Sequence, residues 1–321
     1  MSTAPHQPLH RRLQQGLVRL APYGGAALLL WGLVQSRLIE SWDLLLYDRA
    51  IVTWHQTSAK DVRVTIIGID ADDVEHYGYP IDDGLLCRAI ERAVAAGATA
   101  IGLDLYRDKG VGPNQACLRK LTRQEPRLVT IFNPDENVEP IPGSPASRRS
   151  HNYLIKDPDG VVRRDLVHVS GAGPGMVTLP LRLVEVALGT QHLRQELENP
   201  VQSERVGPWL GQAERSGGYR DMGAEAGGFQ RLLAFRRPQS FRTLSLRNLI
   251  NGPTDSSAKT LRGTIALIGT TDPAVRDMLR TPFSRLGTSP TGNSPDERHP
   301  EQLTPGVEIH ALRVAALLDD L

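Results

Sequence analysis

Aromatic side chains make up only 5% of this 321-residue sequence, and no basic patch is interleaved with them. A stacking platform for nucleic acid is therefore missing. Charge of one sign is missing too: 37 Lys and Arg stand against 36 Asp and Glu, a net +1. No global field favours nucleic acid or an acidic partner, and no nucleic-acid partner is expected. Two cysteines, Cys87 and Cys117, are too few for a disulfide framework or a zinc pattern. Two separate, partly buried thiols are the expectation, although in an oxidising compartment the pair could join. There is no internal repeat and no Ser-His-Asp or Cys-His arrangement. The stretch GTTDPAVRD, Gly269 to Asp277, lacks the spaced glycines and lysine of a phosphate loop, so it reads as a capping turn. No cofactor is expected.

One apolar run stands out, Leu20 to Val34 (LAPYGGAALLLWGLV), with Arg11, Arg12 and Arg19 before it and Arg37 after. Its uncharged window is just about the minimum for crossing a bilayer. No clear small-x-small cleavage site follows Val34, and Ala26 to Val34 is apolar all round, unlike a soluble amphipathic helix. The expectation is an uncleaved membrane anchor over 20–36. Residues 1–19 are then cytoplasmic and 41–321 lie outside, because arginines stay on the cytoplasmic side. The localisation that follows is the inner membrane, with the main domain periplasmic or extracellular. Val314 to Leu318 is apolar but too short for a second span. The domain then either hangs from one anchor or belongs to a longer natural protein.

Beyond the anchor, 40% apolar and 23% charged residues suit a globular domain. Ser41 to Trp54 spaces Leu44, Tyr47, Ile51 and Trp54 as a helix does. Val62 to Ile69 reads as a strand, Gly84 to Ala96 as an amphipathic helix closed by Gly97, and Thr99 to Leu103 as a second strand. Strand, helix and strand in that order make a βαβ unit with a parallel pair. Leu128 to Phe132 and Thr264 to Gly269 read as further buried strands, and Leu232 to Phe235 as a possible one. Thr178 to Leu188 and Val307 to Leu318 read as helices. DPDG, Asp157 to Gly160, sits between extended segments and signals a hairpin. Asn133 to Ser150 and Ser284 to Pro305 read as loops. The fold class expected is α/β: one domain with a mostly parallel central sheet flanked by helices, a β-hairpin region and an N-terminal membrane helix.

Three apolar strands end in acids: Asp70, Asp104, and Asp272 just past Gly269. Ligands of open α/β sheets bind outside the carboxyl ends of the strands. If the three strands are parallel neighbours, these acids converge on one crevice. Crowded carboxylates raise one another's pKa unless a cation or donors compensate. Such a crevice calls for a metal, a basic ligand group, or internal partners such as Arg276 or His310. The candidate ligand-binding residues are Asp70, Asp72, Asp104, Asp272, Asp277 and His310. Against this stands a helix-capping role for acids at strand ends. Arg163 and Arg164 follow DPDG, and strand alternation puts them on opposite faces. IDADD also resembles the nucleophile and acid pair of haloacid-dehalogenase-type phosphatases. The glycine-threonine loop of that family is replaced here by Asp73, Val74 and Glu75.

Six stretches occur in one order: WDLLLYDR, VTIIGIDADD, GATAIGLDLYRD, DPDGVVRR, LRGTIALIGTTDPAVRD with TPF, and TPGVEIHA. Together they resemble the CHASE type 2 domain, an extracytoplasmic sensor module of bacterial transmembrane receptors. The resemblance spans Ser41 to Leu318. It implies a sensory input domain without catalysis of its own, held at the membrane by an N-terminal helix. Its output domain would lie beyond Leu321. An unknown small molecule or protein ligand and a homodimer are the expected partners. The alternatives are a metal-dependent phosphohydrolase using Asp70, Asp72 and Asp104, and a structural envelope protein that binds other proteins through its loops.

Overall fold

In a computed structural model, residues 22–33, 37–54, 60–168, 177–190, 211–212, 229–286 and 302–320 are described. The chain divides into two compact units, residues 1–47 with 214–226 and residues 48–213 with 227–321. In the first unit residues 22–33 form helix α1, exposed along its whole length, Leu28, Leu29, Leu30 and Trp31 included. No helix among the described residues is long and apolar enough to cross a membrane. The spanning helix expected over 20–36 is therefore not borne out among the described residues. Its described part, at 1.5 Å per residue, rises only about 18 Å against a hydrocarbon core of about 30 Å. Residues 20, 21 and 34–36 lie outside the described residues. Helix α2 covers Arg37–Trp54.

The second unit is built on strands whose runs of Val, Ile, Leu and Ala suit burial on both faces. In chain order come β1 (Asp61–Ile69), α3 (Ala71–Tyr77), α4 (Asp83–Ala95), β2 (Ala100–Leu103), α5 (Gln115–Gln124), β3 (Leu128–Phe132) and β4 (Arg149–His151). Then follow β5 (Arg164–His168), α6 (Leu179–Leu188), β6 (Gly211–Gln212), β7 (Phe229–Leu232), β8 (Phe241–Ser245), α7 (Leu246–Asn251) and α8 (Thr254–Leu261). Last come β9 (Ile265–Thr270), β10 (Met278–Leu279), α9 (Pro282–Leu286), β11 (Thr304–Pro305) and α10 (Gly306–Asp319).

Six strands form one sheet in the order β4-β3-β2-β9-β1-β8, and every pairing in it is parallel. Helix α4 packs on α5, α7 and α8 over one face, while α6 and α10 pack on each other and on the other face. The first face is a core of Ile67, Ile69, Leu86, Ile90, Ile101, Leu103 and Ile268 among others. Helix α10 is buried on nearly all sides, which accounts for its near-continuous apolar sequence. It presses close to β9, because a Cβ on Gly269 would lie 2.7 Å from Val307 Cβ.

The hairpin around DPDG takes a different partner from the one expected. The turn forms, with Gly160 N donating to Asp157 O and Asp157 N to Val161 O. Yet β5 pairs antiparallel with β7, and β7 with β6, in a separate three-stranded sheet. The strand expected at Leu232 to Phe235 is displaced: β7 covers Phe229–Leu232, and Leu233 to Phe235 lie outside any strand. Several elements had no clear pattern in the sequence, because they are short or only half apolar, among them α3, α5, β4, β8, α7 and α8.

Candidate functional site

The topology sets the place. Strands β1 and β2 lead into α4 and α5 on one face, while β9, lying between them, leads on to α10 over the other. Neighbouring strands that send their connections to opposite faces leave a crevice at their carboxyl ends, the usual ligand position in open α/β sheets. Asp104, the first residue after β2, sits there with both flanks covered; its backbone N donates to Ile268 O of β9 at 2.8 Å.

Asp104 is buried, and its side chain opens a chain of polar contacts. Oδ1 accepts from Asn152 Nδ2 at 3.2 Å. Tyr106 donates its hydroxyl to Asn152 Oδ1 at 3.0 Å and accepts from Asn133 Nδ2 at 3.1 Å. Oδ2 lies 3.9 Å from His310 Nε2 on α10. Arg313, one turn further along α10, brings Nη1 to 3.3 Å from His310 Nδ1. A guanidinium only donates, so Nδ1 is the acceptor and Nε2 carries the proton facing Asp104.

Burial pushes the Asp104 carboxyl up to about 7, the Asp277 carboxylate adds to this, and Asn152 and Arg313 relieve part of it. Burial, and then the charges of Arg313 and His151, push His310 well below the ordinary imidazole range. Asp277 is also raised by burial, against an opposing pull from Lys156. Its oxygens would lie 2.6 and 2.8 Å from a Cβ on Gly306, at the first turn of α10. Asp104, Asp277 and His310 therefore share one acidic, largely dehydrated locus.

The remaining acids go elsewhere. Asp70 caps α3 and accepts from Asp73 N, while Asp73 accepts from Asp70 N in return, a reciprocal capping box. Asp73 also caps α7 through Leu246 N and Arg247 N, at 3.1 and 2.9 Å. Asp72 is exposed and pairs with Arg247 at 3.2 Å. Asp272 caps a short turn through Ala274 N at 2.9 Å. The acid pair read in IDADD thus serves helix ends and a surface ion pair. No group of three or more metal-ligating side chains occurs among the described residues.

Further arrangements that the sequence left open are decided by the packing. Arg163 is fully buried and meets Asp48 of α2 at 2.6 and 2.8 Å, Asp157 at 2.9 Å and Asp159 at 2.7 Å. Arg164 also reaches Asp157, at 2.5 Å. The expected opposition of these arginines fails because Arg163 precedes the first paired residue of β5, where alternation has no hold. Cys87 of α4 and Cys117 of α5 form a disulfide with Cα atoms 6.3 Å apart. The expectation of separate thiols is corrected, since the packing of α4 on α5 brings them together. Arg313 had one visible signal, a lone charge inside the apolar run of α10; it holds Asp165 at 2.6 Å and Leu166 O at 2.7 Å.

The structure thus sets an acidic rim at the carboxyl ends of a parallel α/β sheet. In a comparison with protein families, the CHASE2 domain matches residues 25–321, nearly the whole chain. The chain belongs to the CHASE2 domain family, an extracytoplasmic sensory family and not a catalytic one. No curated protein and no solved structure matches it.

Proposed function

We propose that this chain is the extracytoplasmic input domain of a bacterial signalling receptor. It binds a small molecule or protein partner at the rim formed by Asp104, Asp277 and His310 and passes the state on through α2 and α10. The observation that carries this reading is His310 itself. It lies on α10 and faces Asp104 on the sheet, so anything that changes the charge or contacts of the rim acts on that helix. Arg313 and Asp165 extend the connection to β5, and Arg163 ties β5's approach to Asp48 of α2. A ligand that prefers one arrangement of these contacts shifts the population between them.

Placement at the inner membrane is part of the proposal. Its supports are the exposed apolar surface of α1 and the arginines that precede it. A homodimer fits the exposed Trp42 and Leu46 on α2.

The test is a chimera joining residues 1–321 to a reporter kinase through a membrane helix, expressed in a bacterium. Output that responds to envelope conditions, and that Asp104→Asn and His310→Gln lock in one state, is the expected result. A reporter indifferent to both substitutions and to all conditions would remove the sensor reading.

A further inference from the structure

Helix α10 ends against its own electrostatic preference. Asp319 closes it, Asp320 caps it, and its last turn carries no basic residue. The carbonyl end of a helix is the negative end of its dipole, so acids are disfavoured there. The turn is held from outside instead, by arginines of other elements. Arg63 of β1 brings Nη2 to 2.6 Å from both Asp61 Oδ2 and Asp319 Oδ1. Arg236, which precedes β8, spans the same two acids, with Nη1 at 2.8 Å from Asp61 and Nη2 at 2.9 Å from Asp319. Arg231 of β7 repeats the arrangement, with Nε 3.4 Å from Asp165 and Nη1 on Asp320. Asp61 opens β1, so these bridges lie at the amino ends of the strands, away from the acidic rim.

The two ends of each bridge differ. Asp61 and Asp165 are buried, whereas the side chains of Asp319 and Asp320 are 51% and 41% exposed. Burial pushes the Asp61 carboxyl up, but the hydrogen bonds and charge of Arg63 and the charge of Arg236 outweigh it and hold the group below the usual carboxylate range. Asp61 therefore stays ionised and keeps both arginines. Dissolved salt screens exposed pairs far more than buried ones, and exposed pairs are weak to begin with. Added salt thus parts the bridges at their outer ends and leaves the arginines on Asp61 and Asp165. Val314, Ala315 and Leu317 of α10 are buried, which confines the loosening to the final turn. We propose that Arg63, Arg231 and Arg236 form an ionic-strength-sensitive clasp on Asp319 and Asp320, closed in dilute medium and released in concentrated salt. The clasp is defined by its contacts alone; its use in signalling rests on the reading that α10 passes the receptor's state onward. Through it the domain would respond to salinity with no ligand bound.

The experiment is amide hydrogen exchange of the full chain, read by mass spectrometry at one pH in about 0.01 M and about 1 M NaCl, where charges act over about 30 and about 3 Å. A third sample holds sucrose at the osmotic strength of the higher salt. Exchange in the peptide covering the end of α10 should speed up about fivefold in the higher salt, while peptides from β1 and β9 keep their rates and sucrose has no such effect. The Asp319→Asn/Asp320→Asn variant lacks the outer carboxylates and changes only exposed residues. Its final turn should exchange at one rate in both salts. Four results overturn the clasp: a parent turn that exchanges alike in both salts, a double variant that still responds, sucrose that acts as salt does, or β1 and β9 loosening in step with the turn. None of these measurements uses receptor output, so a failed sensor test leaves the clasp standing.

Discussion

Asp104 Oδ2 and His310 Nε2 lie 3.9 Å apart, both buried, one on the sheet and one on the helix that covers it. Their shifts run in opposite directions, the acid up and the imidazole down. Below about pH 7 the folded pair holds one proton, on Asp104. The unfolded pair also holds one proton between about pH 4 and 6.5, on the histidine.

A pH prediction follows from that proton count. Stability depends on pH only where folded and unfolded states bind different numbers of protons. Asp104 alone contributes stability that is present near pH 4 and lost as pH rises through about 7. His310 alone contributes the reverse: its stability is present above about pH 6.5 and lost as pH falls. In the parent the two slopes oppose each other as pH falls below about 6.5. Asp104→Asn should leave stability falling with acid, and His310→Gln should leave it falling with alkali. Each slope is about 1.4 kcal/mol per pH unit. Urea unfolding from pH 4.5 to 8 reads both; two parallel curves would show that the pair does not exchange its proton as described.

The Cys87–Cys117 disulfide closes a loop across a sequence separation of 30. Chain-entropy reasoning gives it about 3–4 kcal/mol. Unfolding midpoints measured with and without reductant should differ accordingly, and the Cys87→Ser/Cys117→Ser double variant should match the reduced parent. A bridge of this kind is retained in oxidising compartments such as the periplasm.

Arg163 serves three carboxylates inside the protein. Burial opposes its charge, but hydrogen bonds to Asp48, Asp159 and Asp157 outweigh that and hold it protonated. Arg163→Met leaves buried acids without a cation and should cost about 3–5 kcal/mol. Arg163→Lys cannot reproduce the forked contact with Asp48 and should also destabilise. Asp48→Asn should cost less, because Asp157 and Asp159 remain. Guanidinium unfolding of the three variants gives the order.

Gly269 lets α10 approach β9. Gly269→Ala should destabilise by about 1–3 kcal/mol through overpacking against Val307. Val307→Ala removes Cγ2, one of the two obstructing atoms, so the double variant should be somewhat more stable than the sum of the singles implies. Simple additivity in that cycle would mean the helix is not seated where the contact places it.

The βαβ unit, the strands β1, β2, β3 and β9, and the buried character of α10 were legible in the residues. Runs of Val, Ile, Leu and Ala carry their own periodicity and burial signal. The gathering of strand-end acids was legible only as a conditional. Topology made the three strands neighbours, but local backbone chemistry claimed Asp70 and Asp272 for caps. That chemistry lies within four residues and competes first. Asp104 escaped it because its covering residues arrive from Asn152 and His310, far along the chain.

Sequence by itself determined the family, the parallel α/β architecture and which residues are acidic at the strand ends, because these rest on local pattern and order. Tertiary structure alone decided that Arg163 meets Asp48, that Cys87 meets Cys117, and that Asp104 faces His310. Each of these joins residues far apart in the chain. No local propensity encodes such a meeting; only the packing of whole helices onto a finished sheet brings the side chains within reach.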